Sequence, residues 1–348
     1  MKERRSIVEQ WEKGGSSALV TLVRTEGSSY RRPGARLLVQ ENGTGVGAIS
    51  GGCLEAEIAR RAHWTIRNGA TIERISTGFD DTSEIPYGLG CGGTLGLLVE
   101  PINTPEARAL LEAMRNSLAG LRRNVVTWLP DATRPLRRTV YDDSGHTLFA
   151  SSEPRKDNEI FDEWLEPPQK IFIFGGGNDA QPMARFAALL GWRITVVDRR
   201  SQLARRDRFP DANEVLAIDA LQNSMICRDD AVILMTHSYE QDRAWLTALL
   251  PQQRRYLGIL GARHRSSLLV SEAVAAHGWT LDHACQNLFA PAGLDLGGDG
   301  AEAIALATIA EIHACCEGKL GHSRRMTPAT ISEQIALGDS SRYLQCAL

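Results

Sequence analysis

The sequence predicts an α/β protein: an N-terminal α+β domain (residues 1–150) followed by a doubly wound parallel-sheet Rossmann domain (170–316). Three observations predict it. Six short, continuously apolar segments recur after residue 170, and helical patterns separate most of them; strands of that kind are covered on both faces, as in a parallel sheet. The first of these segments runs directly into a glycine turn and a helix, which is how a dinucleotide-binding unit begins. Before residue 150 the apolar stretches are instead punctuated by Gly, Ser and Pro in hairpin fashion. A chain of 348 residues has room for two domains or three.

In the N-terminal domain "ALVTLVR" (18–24) and "ARLLVQ" (35–40) read as strands, and "ENGTG" (41–45) is a hairpin turn signal. A helix over 54–67 places Leu54, Ile58, Ala62 and Ile66 on one face. "TIERIST" (71–77) and "GTLGLLVEP" (93–101) are the next strands. The stretch 104–118 has Thr at the N-cap, Pro at N1 and an acid at N2, a well-signalled helix. "NVVTWLP" and the hairpin-like "RRTVYDDSGHTLFA" close this half. Residues 151–169 are charged, hold three prolines and read as a linker.

The Rossmann strands are "KIFIFG" (170–175), "RITVVD" (193–198), "EVLAID" (214–219), "AVILMT" (231–236), "RYLGILG" (255–261) and, more weakly, "NLFAP" (287–291). A last helix covers about 301–316, and 317–348 forms a polar tail.

Bulk properties narrow the function classes. A net charge of −3 gives no electrostatic footprint for nucleic acid. The apolar runs are too short for a bilayer, so no membrane partner is expected. The N-terminus lacks the apolar core of a signal peptide, which points to the cytoplasm. Seven cysteines without a CxxC offer neither a zinc ribbon nor a thioredoxin motif. Cys227 and Cys285 read as small buried hydrophobes, and the vicinal Cys315 and Cys316 as packing residues.

Gly175, Gly177 and Ala180 make a GxGxxA turn between a strand and a helix, and Asp198 ends the second strand. The first glycine permits the turn, the second admits a pyrophosphate, and the small third residue lets the helix pack. Asp198 is placed to accept a ribose hydroxyl, so NAD(P) or another nucleotide is an expected ligand. His237, Arg263, Arg265 and Asp295 follow later strands and gather at the same rim, favouring an anionic, hydrogen-bonding ligand.

The N-terminal half offers thiols. Cys53 in "SGGCLE" precedes a helix, and Cys91 lies in "YGLGCGGTL". A thiol at a helix start has a lowered pKa, and its thiolate is a soft metal ligand and a sulfur nucleophile. Packing beneath loops is the alternative for both. Arg31 and Arg32, in a Ser/Gly/Pro loop, suit a phosphate or another oxyanion.

"TEGSSYRRPGARLLV", "GAISGGCLEAEI" and "GCGGTLGLLVEP" resemble the N-terminal domain of the XdhC/CoxI family of accessory factors for molybdenum hydroxylases. "FGGGNDAQPMARFAALLGWRITVVDRR", "MTHSYEQDRAWL", "YLGILGARHR" and "GLDLGGDGAEAIALATIAEI" resemble its Rossmann domain. The resemblance implies a role rather than a reaction. Such proteins bind the molybdenum cofactor (molybdopterin or its cytosine dinucleotide form) and protect it while a cysteine desulfurase supplies its sulfido sulfur. They then deliver it to an apo molybdenum hydroxylase of the xanthine dehydrogenase or aldehyde oxidase type. A homodimer is the expected assembly. The residues fit this role: Cys53 and Cys91 suit a molybdenum–sulfur centre, and we infer that the glycine turn with Asn178, Asp198, His237, Arg263 and Asp295 holds the cofactor, an assignment the resemblance itself does not supply. Two positions depart from the family pattern: Asn178 stands where a histidine is expected, and Tyr30 where a proline is. Asn178 cannot titrate near neutrality. A nicotinamide-dependent oxidoreductase and a ligand-free scaffold are the competing readings.

Overall fold

The structure, a computed structural model, describes residues 1–15, 17–52, 54–65, 69–76, 93–151, 159–222, 225–322, 325, 328 and 329. One compact unit takes in Met1–Pro167 and another Pro168–Arg325.

The first unit begins with helix α1 (Lys2–Glu12), which the sequence pattern does not signal because Ile7, Val8 and Trp11 are few among charges. Strands β1 (Ser17–Glu26), β2 (Arg36–Gln40), β3 (Gly45–Gly47), β4 (Thr71–Ser76) and β5 (Thr94–Pro101) form an antiparallel sheet in the order β3-β2-β1-β5-β4. Strand period two separates the faces. Val20 and Leu22 pack with Leu54, Ile58 and Ala62 of the segment carrying helix α2 (Glu55–Thr65). Leu19 packs with Ile7 of α1 and with Leu110 and Leu111 of helix α3 (Pro105–Leu118). Thr104 caps α3 by accepting from Ala107 N–H at 3.2 Å.

A second antiparallel sheet follows, β8-β7-β6-β9, from β6 (Arg123–Trp128), β7 (Arg137–Tyr141), β8 (Thr147–Ala150) and β9 (Ile160–Leu165). Strand β9 stands inside the stretch 151–169 that the composition assigns to a linker. Its acids have partners: Asn124 Nδ2 on neighbouring β6 donates to Asp162 at 2.6 Å, and Glu163 pairs with Arg36 of β2 in the first sheet. Composition registers such residues as solvated and misses their pairing. Residues 330–348, most of the expected tail, lie outside the described residues.

A buried ion pair ties the layers of this unit. Arg138 on β7 forks onto Glu100 of β5 at 2.9 and 3.0 Å. It also donates to Thr127 Oγ1 on β6 and to the Glu106 carbonyl of α3. Both side chains are essentially without exposed surface.

The second unit has the predicted sheet. Strands β10 (Lys170–Phe174), β11 (Arg193–Asp198), β12 (Glu214–Ala217), β13 (Ala231–Leu234), β14 (Tyr256–Ile259) and β15 (Leu288–Phe289) are parallel, in the order β12-β11-β10-β13-β14-β15. Ile171 and Ile173 face helices α4 (Ala180–Leu189) and α8 (Ala301–Cys316). Phe172 and Phe174 face α5 (Tyr239–Leu249) and α6 (Arg263–His277). Both faces are thus covered, which is why the strands read as unbroken apolar runs. Strand order reverses between β10 and β13, and ligands of such sheets bind beyond the strand ends there.

Two thiols depart from expectation. Cys227 and Cys285 are exposed rather than buried. At Cys227 the backbone takes the inward bonds: its N–H donates to Asp230 and its carbonyl accepts from buried Arg254. Cys315 and Cys316 do pack on the core, and burial pushes the Cys316 thiol up to about 11.

Glu100→Ala strands a buried guanidinium and is expected to cost about 3–5 kcal/mol, read from the urea midpoint of the N-terminal unit. The double change Glu100→Met with Arg138→Met is expected to recover most of that loss.

Candidate functional site

A pocket of about 620 Å³ opens in the second unit beyond the carboxyl ends of β10, β13, β14 and β15. Its polar groups are Asp179, His237, Arg265 and Asp295. Leu260, Ile304 and Ala307 supply an apolar wall, and the loop 292–298 closes one side. That loop is anchored from below: buried Glu311 of α8 accepts from Gly293 N–H at 2.9 Å and from the Tyr256 hydroxyl at 2.6 Å. Burial and the neighbouring Glu311 carboxylate raise the Tyr256 phenol well above its ordinary value.

The glycine turn is built more for packing than for admitting a diphosphate. Gly175 has φ +123°, and a Cβ there would collide with the Met235 carbonyl at the end of β13. At Gly177 a Cβ would lie 2.5 Å from Asp179 Oδ1, so the space that this glycine opens already holds a carboxylate. The first amides of α4 are engaged as well: Ala180 N–H donates to the Gly177 carbonyl and Gln181 N–H to that of Asn178. Asp198 is turned inward. It accepts from Gly176 N–H at 2.6 Å, from Arg200 N–H at 2.7 Å and from two guanidinium nitrogens of Arg200. Burial works against its ionisation, but these bonds prevail and hold its pKa below the ordinary carboxylate value. Asn178 is not among the residues lining the pocket; its Oδ1 accepts from Arg208 at 3.0 Å.

His237 follows β13 with φ +61°, a left-handed conformation uncommon outside glycine. Its Nε2 stands 3.0 Å from Asp179 Oδ2, while Asp179 Oδ1 is buried without a hydrogen-bond partner. The turn is fixed by Asp242, a fully buried acid in the first turn of α5. Asp242 Oδ1 accepts from Thr236 N–H and from Thr236 Oγ1 (2.7 Å), and Oδ2 accepts from Arg265 at 2.6 Å. Arg265 is thereby held at the pocket with part of its guanidinium exposed.

Of the predicted rim residues, the structure brings His237, Arg265 and Asp295 to one pocket. Arg263, two residues before Arg265, is exposed at the start of α6 and is not among the lining residues. Sequence reasoning misses Asp179 and Asp242. The available signal is position: Asp179 lies two residues past Gly177, just before α4, and Asp242 lies four residues past the Ser238 N-cap.

In the first unit Cys53 and Cys91 lie outside the described residues. The backbone flanking position 53 is organised by Glu55. Its carboxylate accepts from the N–H groups of Ile49, Ser50 and Leu54 and from Ser50 Oγ (2.6 Å). Burial opposes ionisation, yet the donated bonds outweigh it and lower the Glu55 pKa. Arg31 forks onto Glu3, with one bond of 2.9 Å. Among the described residues no group of three or more His, Cys, Asp or Glu is arranged to hold a metal, and none of their helices is long and apolar enough to cross a membrane.

Residues 171–312 match the family model described as the XdhC Rossmann domain, and residues 10–76 match that of the XdhC and CoxI family. Over 326 residues the chain is 27% identical to a protein of Bacillus subtilis (strain 168) named as a probable xanthine dehydrogenase subunit, covering 85% of this chain and 92% of that protein. It is 28% identical over 317 residues to the molybdenum cofactor insertion chaperone PaoD of Escherichia coli (strain K12), covering 88% and 86%. A crystal structure described as a xanthine dehydrogenase from Bacillus halodurans superposes with a TM-score of 0.78 at 27% identity, over 93% of this chain and 98% of that one.

Because folding lowers the Glu55 pKa, its contribution is full above the ordinary carboxylate range and fades as pH falls through the lowered value. Amide exchange at Ser50 and Leu54, corrected for intrinsic rates, is therefore expected to be slow at neutral pH and to quicken in acid. In Glu55→Ala it is expected to be fast throughout; protection equal to wild type would show that Glu55 does not hold this loop.

Proposed function

The chain belongs to the XdhC and CoxI family, and from that premise we propose that it binds the molybdenum cofactor as cargo and passes it to an apo molybdenum hydroxylase of the xanthine dehydrogenase type. The names of its relatives support the role. The observation that carries it to particular residues is the pocket in the Rossmann unit, where unmatched acceptors and a cation occur together.

A pterin is a flat ring system with ring N–H and amino donors and a phosphate on its side chain. The pocket suits those features. Asp179, with one buried oxygen unpartnered, and His237 offer acceptors to the donor edge. Arg265 offers a charge-assisted bond to a phosphate. Leu260, Ile304 and Ala307 provide apolar contact for the ring. Asp295, with Gly297 and Gly298 of the same loop, shapes the rest of the rim, and the glycine turn at Gly175 and Gly177 adjoins it through Asp179. A volume of about 620 Å³ lies within the usual range for small-molecule pockets. The mononucleotide form, with its single phosphate, fits this reading; the cytosine dinucleotide form carries a diphosphate and meets the same carboxylate at Asp179 as a nicotinamide dinucleotide does.

Nicotinamide dinucleotides are the poorer match. Asp198, the expected ribose acceptor, is spent on Gly176 and Arg200, and Asp179 places negative charge where a diphosphate would approach.

In the N-terminal unit we assign Cys53 and Cys91 to the metal and its sulfur, with a cysteine desulfurase as donor. A thiolate is a soft ligand suited to a molybdenum–sulfur centre. The protein is assigned to the cytoplasm as a homodimer.

The test is the pterin, molybdenum and sulfido content of the protein coexpressed with a working cofactor pathway. Wild type is expected to carry near-stoichiometric pterin. Asp179→Ala, or Arg265→Gln, which keeps a donor for Asp242, is expected to lose about tenfold in pterin affinity, the worth of one charge-assisted bond. Cys53→Ala and Cys91→Ala are expected to retain pterin and lose the sulfido ligand. A wild type that carries no pterin would overturn the reading.

A further inference from the structure

The first unit holds a second pocket, of about 160 Å³, whose lining includes Glu3, Arg4, Arg31 and Arg36. Three guanidiniums there meet at most two carboxylates among the described residues. Arg31 is forked onto Glu3 and Arg36 is paired with Glu163. Arg4 has only neutral acceptors among the described residues, Ser117 Oγ at 2.9 Å and the Glu166 carbonyl at 2.7 Å. The Glu166 carboxylate is taken up by Arg122. With the Met1 ammonium, which also lines the pocket, positive charge is therefore in excess.

Arg36 adds a second, independent observation. Its side chain is 5% exposed, and its Nε is buried with no hydrogen-bond partner. A buried N–H of a charged group left without an acceptor is costly, and native structures normally supply one. Burial, reinforced by the like charge of Arg36, pushes the Arg4 pKa down to about 10. An anion beside both arginines would relieve each of these penalties.

We propose that this pocket is a binding site for a small tetrahedral oxyanion, held by Arg4 and Arg36 with Arg31 at its margin. Size restricts the ligand. The volume equals that of about five waters at roughly 30 Å³ each, room for a phosphate- or sulfate-sized head but not for a nucleotide. The two arginines come from separate elements, α1 and β2, so the site exists only in the folded unit. It is separate from the cargo pocket, which belongs to the other unit. The chemistry serves a free inorganic anion and the terminal phosphate of a phosphomonoester alike.

The experiment is calorimetric titration of the full chain with inorganic phosphate and, separately, with glycerol 3-phosphate. The set comprises wild type, Arg4→Met, Arg4→Lys, Arg265→Gln and the second-unit surface variant Arg243→Met. Saturable phosphate binding is expected in wild type, unchanged in Arg243→Met, and it is expected to persist in Arg265→Gln, where the cargo pocket has lost its phosphate anchor. Arg4→Met is expected to weaken it about tenfold or more, the worth of one charge-assisted bond, and Arg4→Lys to restore part of it. Equal affinity for the ester identifies a phosphomonoester terminus as the ligand; affinity for inorganic phosphate alone identifies the free ion. Absence of saturable binding in wild type overturns the proposal, as does binding that Arg265→Gln abolishes and Arg4→Met leaves intact. Should Arg4→Met fail to fold, a wild-type thermal midpoint that phosphate does not raise is the overturning result.

Discussion

The buried carboxylate of Asp242 sets the geometry on which the Rossmann rim depends. An ionised acid without exposed surface is tolerable only when its oxygens are fully bonded. Here the bonds come from the end of β13, through Thr236, and from the first turn of α6, through Arg265. One side chain on α5 thereby fixes where β13 stops, how the chain turns at His237, and where Arg265 stands. Arg265 and the turn at His237 thus acquire their positions from a group that does not line the pocket. Glu311 does the same on the far side, joining Tyr256 in the core to the loop at Gly293.

The first unit is held by equally buried polarity of another kind. Arg138 satisfies its donors on two sheets and one helix, leaving little freedom in how those layers are stacked. Arg36 and Arg4 are placed by the same logic but are incompletely satisfied. Two arginine environments, one closed and one open, thus coexist within a single unit. The contrast separates a structural arginine from one with capacity to spare.

Much of this is legible in the sequence where a period or a punctuation mark carries it. All six parallel strands, the Thr104 cap and the final helix appear close to where alternation and capping chemistry place them. Helix α1 and strand β9 do not stand out, because charged residues dominate both and their partners come from distant parts of the chain. For the site, the approach of His237, Arg265 and Asp295 to one rim follows from strand ends. What sequence cannot convey is orientation. Asp198 at the end of a second strand can face a ribose or its own turn, and only the fold shows that it faces Gly176 and Arg200. The occupancy of Gly177's open side by Asp179 is equally a matter of three dimensions.

The left-handed backbone at His237 has an evolutionary consequence. At φ +61° most side chains incur about 1–2 kcal/mol of strain, while Gly, Asn and Asp are tolerated better. Drift at this position is therefore channelled into a few residue types even if the imidazole contributes nothing to ligand binding. Restricted variation at 237 would then record the shape of the main chain as much as the chemistry of the ring. An asparagine found there in a relative would mark a lineage that kept the turn and gave up the titratable group.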